Sequence, residues 1–286
     1  VESSIEIQKV AKKLSKARQI GFDTEFDKYK RRYGFTLLLI QLFDRHSIYL
    51  VRVNSKTNID PLKEIFENEK IKKIGFALGE DISLFKLRGW KVQNIVDLQI
   101  VSQFTNYQGR SFATICKEVL NVTLDKSMQT SDWHGTLNYR QILYAANDVR
   151  YLFKLYNRIL SNVQNNSYRE WIEQETEALL KTSNTELDIR LNGIQKSFRE
   201  NEKSMTLEIK QIVHQIAKRL DKPAHNVVNE DVINSIIKSY TSFESITKIK
   251  SCSRIFLNNK KLSVAFDTKV KEIIVRHSTP IYYLST

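Results

Sequence analysis

The sequence is poor in the residues that staple or bend a chain: two cysteines, three prolines and eight glycines in 286 residues. Cys116 and Cys252 lie far apart, with no Cys-x-x-Cys or Cys/His spacing around them. That excludes a disulfide framework and a zinc site, and it fits a reducing cytosol. No long apolar run is present; the longest, 36–43, is interrupted by Gln41 and is far too short to span a bilayer. The N-terminus is polar and helix-forming, unlike a signal peptide, and it opens on Val1 rather than Met, as a trimmed chain would. Negative charge is also in deficit, with 32 Asp and Glu against 45 Lys and Arg, a net +13. Such a field attracts polyanions, of which nucleic acid is the commonest; the alternative is a basic protein with no polyanionic partner. With 41% hydrophobic residues the chain can build a real core.

Residues 2–17 read as an amphipathic helix, with Ile5, Ile7, Val10, Leu14 and Ala17 on one face. Three strands with short connections follow, at 20–26, 36–43 and 47–53, which predicts an antiparallel meander. A basic, aromatic loop, Lys28 to Tyr33, joins the first two. Beyond them helix and strand patterns alternate: helix 59–68, strand 71–76, helix 79–88, strand 94–96 and helices 97–104 and 111–120. That alternation predicts a sheet with crossover helices. A polar loop, 123–137, leads into one long helix, 138–160. An Asn-rich edge follows at 161–168, and the rest reads as helical: 168–182, 186–200, 204–220, 229–239, 242–248 and 265–276. Residues 204–286 carry 13 basic and 7 acidic side chains, a net +6 on a short stretch. The expected organisation is an α/β catalytic domain at 1–165, a helical linker at 166–203 and a small, basic, all-α domain at 204–286.

The chemistry sits in four carboxylates. Side chains alternate along a strand, so Asp23 and Glu25 face one way while Phe22, Thr24 and Phe26 face the other. Such a pair is half of a hard-metal site or a solvated edge. Asp81 opens a helix, where it either caps free N–H groups or reaches the same cleft as Asp23. Tyr144 and Asp148, four residues apart on a helix, share a face beside apolar Ile142, Ala145, Val149 and Leu152. The bland reading is a half-buried Tyr beside a solvent-facing Asp; buried there, the Asp needs compensation that a metal provides. A cluster of all four is self-repelling, and two Mg²⁺ ions neutralise it while keeping sites for water and phosphate oxygens. Two such ions about 3.5–4 Å apart support in-line phosphoryl displacement, and a Tyr hydroxyl can orient the attacking water. Asp97 reads as a helix cap, and Trp133 reads as a loop anchor before a base-stacking platform.

In order and separation these residues resemble the three motifs of the DEDD exonuclease superfamily, most closely the ribonuclease D family. The first is Asp23-Thr24-Glu25-Phe26 with Leu38 to Asp44 downstream; the second is Gly79-Glu80-Asp81 with Asp97 to Ile100 downstream. The third, and most specific, runs Thr123 to Ser127, then Ser131-Asp132-Trp133, Gln141 and Tyr144 to Leu152. The resemblance implies a ribonuclease H-like mixed-sheet 3′-5′ exonuclease domain. It also implies two divalent metal ions, Mg²⁺ or Mn²⁺: Asp23 bridges both, Glu25 and Asp148 complete one, and Asp81 serves the other. Tyr144 then positions water, as in the tyrosine branch; the histidine branch carries its His where this chain has Leu143. Residues around 209–249 resemble a helicase-and-RNase-D C-terminal (HRDC) domain. The family's Arg-Pro-Leu after Asp-Trp is here His134-Gly135-Thr136-Leu137, which keeps only the Leu.

The function implied is hydrolytic trimming of RNA from a free single-stranded 3′ end, on tRNA precursors and other small structured RNAs, releasing nucleoside 5′-monophosphates. Arg31 and Lys126 flank the first and third motifs and are the candidates for phosphate contact. A cytoplasmic monomer with no membrane partner and no small-molecule cofactor is expected. The competing readings are a DNA 3′-5′ exonuclease and a non-catalytic RNA-binding protein; the metal site does not tell ribose from deoxyribose, which only contacts to the 2′-hydroxyl would.

Overall fold

The computed structural model describes residues 1–28, 31–163, 166–182 and 198–278. Two compact units are present: Val1–Asp27 with Thr36–Glu186, and Lys28–Phe35 with Leu187–Thr286.

The first unit opens with α1 (Ser4–Leu14), which Ser3 and Glu6 start as a reciprocal capping box. Next come β1 (Gln19–Lys28), β2 (Phe35–Phe43) and β3 (Ile48–Arg52). A 3₁₀ turn at Asp60–Leu62 leads into α2 (Lys63–Glu67), then β4 (Lys72–Gly75), α3 (Gly79–Leu87), β5 (Ile95–Asp97) and α4 (Leu98–Gln103). The unit finishes with α5 (Phe112–Leu120), α6 (Tyr139–Arg150), α7 (Leu152–Ser161) and α8 (Asn166–Thr182). The sheet order is β3-β2-β1-β4-β5. β2 and β3 run antiparallel, whereas β4 runs parallel to both β1 and β5, so the sheet is mixed. The parallel pairs follow from the crossovers through α2 and α3, because a strand reached through a helix returns in the same direction.

One side of the sheet packs on Val101, Ile115, Val149, Leu152, Leu155 and Ile159 of the crossover and C-terminal helices. Phe22, Phe66, Phe85 and Trp90 make an aromatic cluster, with Phe85 and Trp90 stacked 5.1 Å apart. At Gly75 a side chain would lie 2.9 Å from the Phe22 carbonyl oxygen, so glycine is what lets β4 approach β1 here.

The long helix expected over 138–160 is two helices. Tyr151 separates α6 from α7, and its N–H bonds to the Val149 carbonyl instead of the residue four back. No proline or glycine marks the break, and the apolar period runs through it. The segment 166–203, expected as a linker, begins with α8, whose Tyr168 and Trp171 pack on Phe104 of the first unit. The helix expected at 186–200 falls almost wholly outside the described residues.

The second unit holds α9 (Glu200–Leu220), α10 (Ala224–Val227), α11 (Glu230–Lys238), α12 (Arg254–Leu257) and α13 (Lys260–Ser278). The helix expected at 242–248 is replaced by 3₁₀ turns at Tyr240–Ser242 and Ile246–Lys248. Asp267 stabilises the second turn, accepting the Ile246 N–H and the Ser245 hydroxyl. The core is Met205, Ile209, Val213, Val232, Ile236, Phe256, Phe266 and Val270. The loop between β1 and β2 clusters with this unit: Arg32 pairs with Asp221, and the Tyr33 hydroxyl lies 3.3 Å from His214 Nδ1. No helix among the described residues is long and apolar enough to cross a membrane.

Candidate active site

Two local periodicities build the site. The pleat of β1 sends Asp23 and Glu25 to one face, and the turn of α6 stacks Tyr144 under Asp148. Asn138 and Gln141 start α6 as a reciprocal cap, and the Gln141 carboxamide also donates to Ser131 Oγ and to the Asp132 carbonyl. The fold then brings one carboxylate oxygen each from Asp23, Glu25 and Asp148 within 4.8 Å of one another. Asp81, in the first turn of α3, stands outside that trio. It is buried and accepts the Thr24 hydroxyl, and its charge is still felt at Asp23.

Asp97 sets where α3 begins. Its carboxylate caps α4 through the Gln99 N–H and also accepts the N–H groups of Ala77 and Leu78, each at 2.8 Å. Ala77 sits at φ 59°, a left-handed conformation unusual for a residue with a Cβ, and this double grip holds it there. The expected helix cap therefore also fixes the turn that carries Asp81.

Burial raises the proton affinity of every member, and for Asp23 and Glu25 the neighbouring carboxylates add to it. Burial, then the charges of Asp81, Asp148 and Glu25, push Asp23 well above the ordinary carboxylate range. Burial, then Asp148 and Asp81, lift Glu25 to about 9. Burial lifts Asp81 to about 7 against the pull of the Thr24 hydroxyl. Burial also raises Asp148, opposed by Lys126 and by the Tyr144 hydroxyl. Lys126 offsets this only in part: its Nζ lies 3.4 Å from Asp148 and also over the rings of Phe112 and Tyr144, and Glu25 and Asp148 stay raised. An all-oxygen donor set that resists ionisation by itself is one that a divalent cation suits, so the residues present fit such a metal.

Tyr144 is buried and packs against Trp133 with ring centroids 5.9 Å apart. Burial and the neighbouring carboxylates push its phenol far above its usual range, so it keeps its proton. Trp133 is thus an anchor within a small cluster with Leu38, Leu39 and Ala145. Arg31 is exposed and belongs to the loop clustered with the second unit.

Several residues here escaped the sequence reading. Thr24 carries Asp81. Arg52 donates to the carbonyls of Trp133, His134 and Gly135, and His134 Nε2 lies 2.8 Å from Asp27 Oδ2. The one available signal was β1 itself, where Asp27 continues the alternation of Asp23 and Glu25.

Fold and site together define a nuclease of the exonuclease class, and the sequence profile of the 3′-5′ exonuclease family matches residues 1–164. The chain belongs to that family. More particularly, a ribonuclease D of Serratia proteamaculans (strain 568) is 34% identical over 162 residues, 55% of this chain and 43% of the relative. Among four ribonuclease D relatives the matched stretch is 38% to 65% of their length, under two thirds. The solved structure of Escherichia coli RNase D, an exoribonuclease involved in structured RNA processing, shares the fold. It superposes with a TM-score of 0.75 at 22% identity, covering 98% of this chain and 76% of that one. Brucella melitensis NrnC with bound Mg²⁺ superposes with a TM-score of 0.52 at 21% identity, covering 65% of this chain and 92% of that one.

Proposed function

We propose that this chain is a divalent-metal-dependent 3′-5′ exoribonuclease that trims single-stranded RNA ends one nucleotide at a time, releasing nucleoside 5′-monophosphates. The observation that carries the reading is the meeting of Asp23, Glu25 and Asp148 oxygens beside a protonated Tyr144. The names of its sequence relatives favour RNA, and the magnesium in the NrnC structure favours Mg²⁺ or Mn²⁺. Asp23, Glu25 and Asp148 are the ligands, with Asp81 serving a second ion. Two ions bound there supply charge neutralisation and Lewis-acid stabilisation of the phosphodiester as charge develops on it. Tyr144 keeps its hydroxyl hydrogen and gives it to Asp148, so its oxygen is left to accept from the attacking water and orient it. Lys126 favours the charged form of Asp148 against the effect of burial and offers a cation to a substrate phosphate; Arg31 is a second phosphate contact.

The basic second unit we read as an HRDC-like RNA-capturing module, with precursor tRNAs and other small structured RNAs as substrates. A cytoplasmic location agrees with the two free cysteines, Cys116 and Cys252, and we read the chain as a monomer. The test is a 5′-labelled single-stranded RNA incubated with Mg²⁺, Mn²⁺ or EDTA beside Asp23→Ala. A ladder shortening from the 3′ end, metal-dependent and lost in the variant, is expected. Tight RNA binding without shortening under either metal refutes the reading.

A further inference from the structure

The metal-holding face of β1 does not end at Glu25. Asp27 lies two residues on, about 7 Å along the strand, and faces the same way. A single strand running extended along β1 would advance by one nucleotide over that distance. Asp27 is 5% exposed, and its Oδ2 lies 2.8 Å from His134 Nε2. The His134 side chain is 24% exposed, and among the described residues its Nδ1 has no hydrogen-bond partner.

Anchoring does not explain this pair, because the loop is already gripped at the same place. Arg52 donates to the Trp133, His134 and Gly135 carbonyls at 3.0, 3.3 and 2.8 Å. Gln141 holds Ser131 and the Asp132 carbonyl on the other side. What the Asp27 contact adds is the orientation of one imidazole ring, with one nitrogen committed to a buried carboxylate and the other left over.

We propose that His134, oriented by Asp27, selects ribose: its Nδ1 pairs with a 2′-hydroxyl of the substrate, one nucleotide from the bond being cut. This rests on the exoribonuclease reading above and deepens it. A hydroxyl both donates and accepts, so it satisfies Nδ1 in whichever tautomer Asp27 sets. A phosphate oxygen only accepts, and deoxyribose presents nothing at that position. His134 is therefore a specificity-determining residue. The metal-holding carboxylates, by contrast, act on the phosphodiester that RNA and DNA share.

The test is a double-mutant cycle between protein and substrate, using the full chain with Mg²⁺. Single 2′-deoxy substitutions are walked along the last four nucleotides of an RNA oligonucleotide and trimmed by wild type, His134→Ala and Asp27→Asn. At one position the substitution is expected to slow wild type by about tenfold, the size of one hydrogen bond, and to leave His134→Ala unaffected. Asp27→Asn is expected to weaken that dependence partway. Equal slowing of His134→Ala on every oligonucleotide overturns the proposal, because a loop prop or a phosphate contact acts on all of them alike. Wild type indifferent to every substitution overturns it too. If His134→Ala does not fold, His134→Gln, which keeps a donor for Asp27, carries the same cycle. Failure of wild type to shorten the all-RNA strand overturns both this proposal and the reading beneath it, whereas shortening with additive losses overturns this one alone.

Discussion

Replacing Glu25 by Gln tests the electrostatics of the site directly. Glu25 moves from 4.5 in an unfolded chain to about 9 in the folded, metal-free protein. Its folded pKa is raised, so its contribution to stability is fully present below about pH 4.5 and is lost as pH rises towards 9. Each pKa unit is worth about 1.4 kcal/mol, so raising the pH from 5 to 8 costs the metal-free wild type up to about 4 kcal/mol through this one group. Gln does not titrate, and the variant escapes that loss. In EDTA, Glu25→Gln is therefore expected to be more stable relative to wild type at pH 8 than at pH 5. In saturating Mg²⁺ the order at pH 8 reverses, since only wild type keeps its full ligand set and the stabilisation that binding gives. Urea unfolding followed by tryptophan fluorescence is the assay, because Trp90, Trp133 and Trp171 all lie in the first unit. A stability difference in EDTA that is the same at both pH values refutes the reasoning, for it means that no proton is held at Glu25.

Three further outcomes follow from the geometry. Tyr144→Phe keeps the ring against Trp133 and removes the hydroxyl proposed to orient water, so kcat on RNA is expected to fall by about 100-fold with KM little changed; a fall in KM-linked binding instead assigns the hydroxyl to substrate. Lys126→Ala and Arg31→Ala are each expected to weaken RNA binding and to lower the slope of log affinity against log salt by about one; an unchanged slope removes them as phosphate contacts. Asp97→Ala strips three backbone N–H groups of a carboxylate and frees the strained Ala77 turn, so urea unfolding is expected to show a loss of about 2–4 kcal/mol. A loss under about 1 kcal/mol means that water replaces the carboxylate there.

What was legible beforehand follows from which forces are local. The strand period that aligned Asp23 with Glu25, and the helical period that aligned Tyr144 with Asp148, act between neighbours in the chain. So do the caps, and Asp97 was read as one. The division of α6 from α7 was not legible, because Tyr151 carries no proline or glycine and the apolar period persists across it. Nor was the 3₁₀ turn at Ile246–Lys248, where Asp267 accepts from the distant Ser245 hydroxyl and Ile246 N–H.

The sequence by itself determined the residue types, their facing within each element, and therefore the kind of groups on offer: carboxylates, a phenol and a basic surround. Only the tertiary structure decided their distances. It brought Asp148 to Glu25 across more than a hundred residues, set Asp81 apart on the Thr24 hydroxyl, and joined His134 to Asp27. The physical reason is that such meetings depend on how crossover strands pack and on which buried charges can share a site. Those energies arise only once distant segments have displaced the water between them, and no short window of sequence contains them.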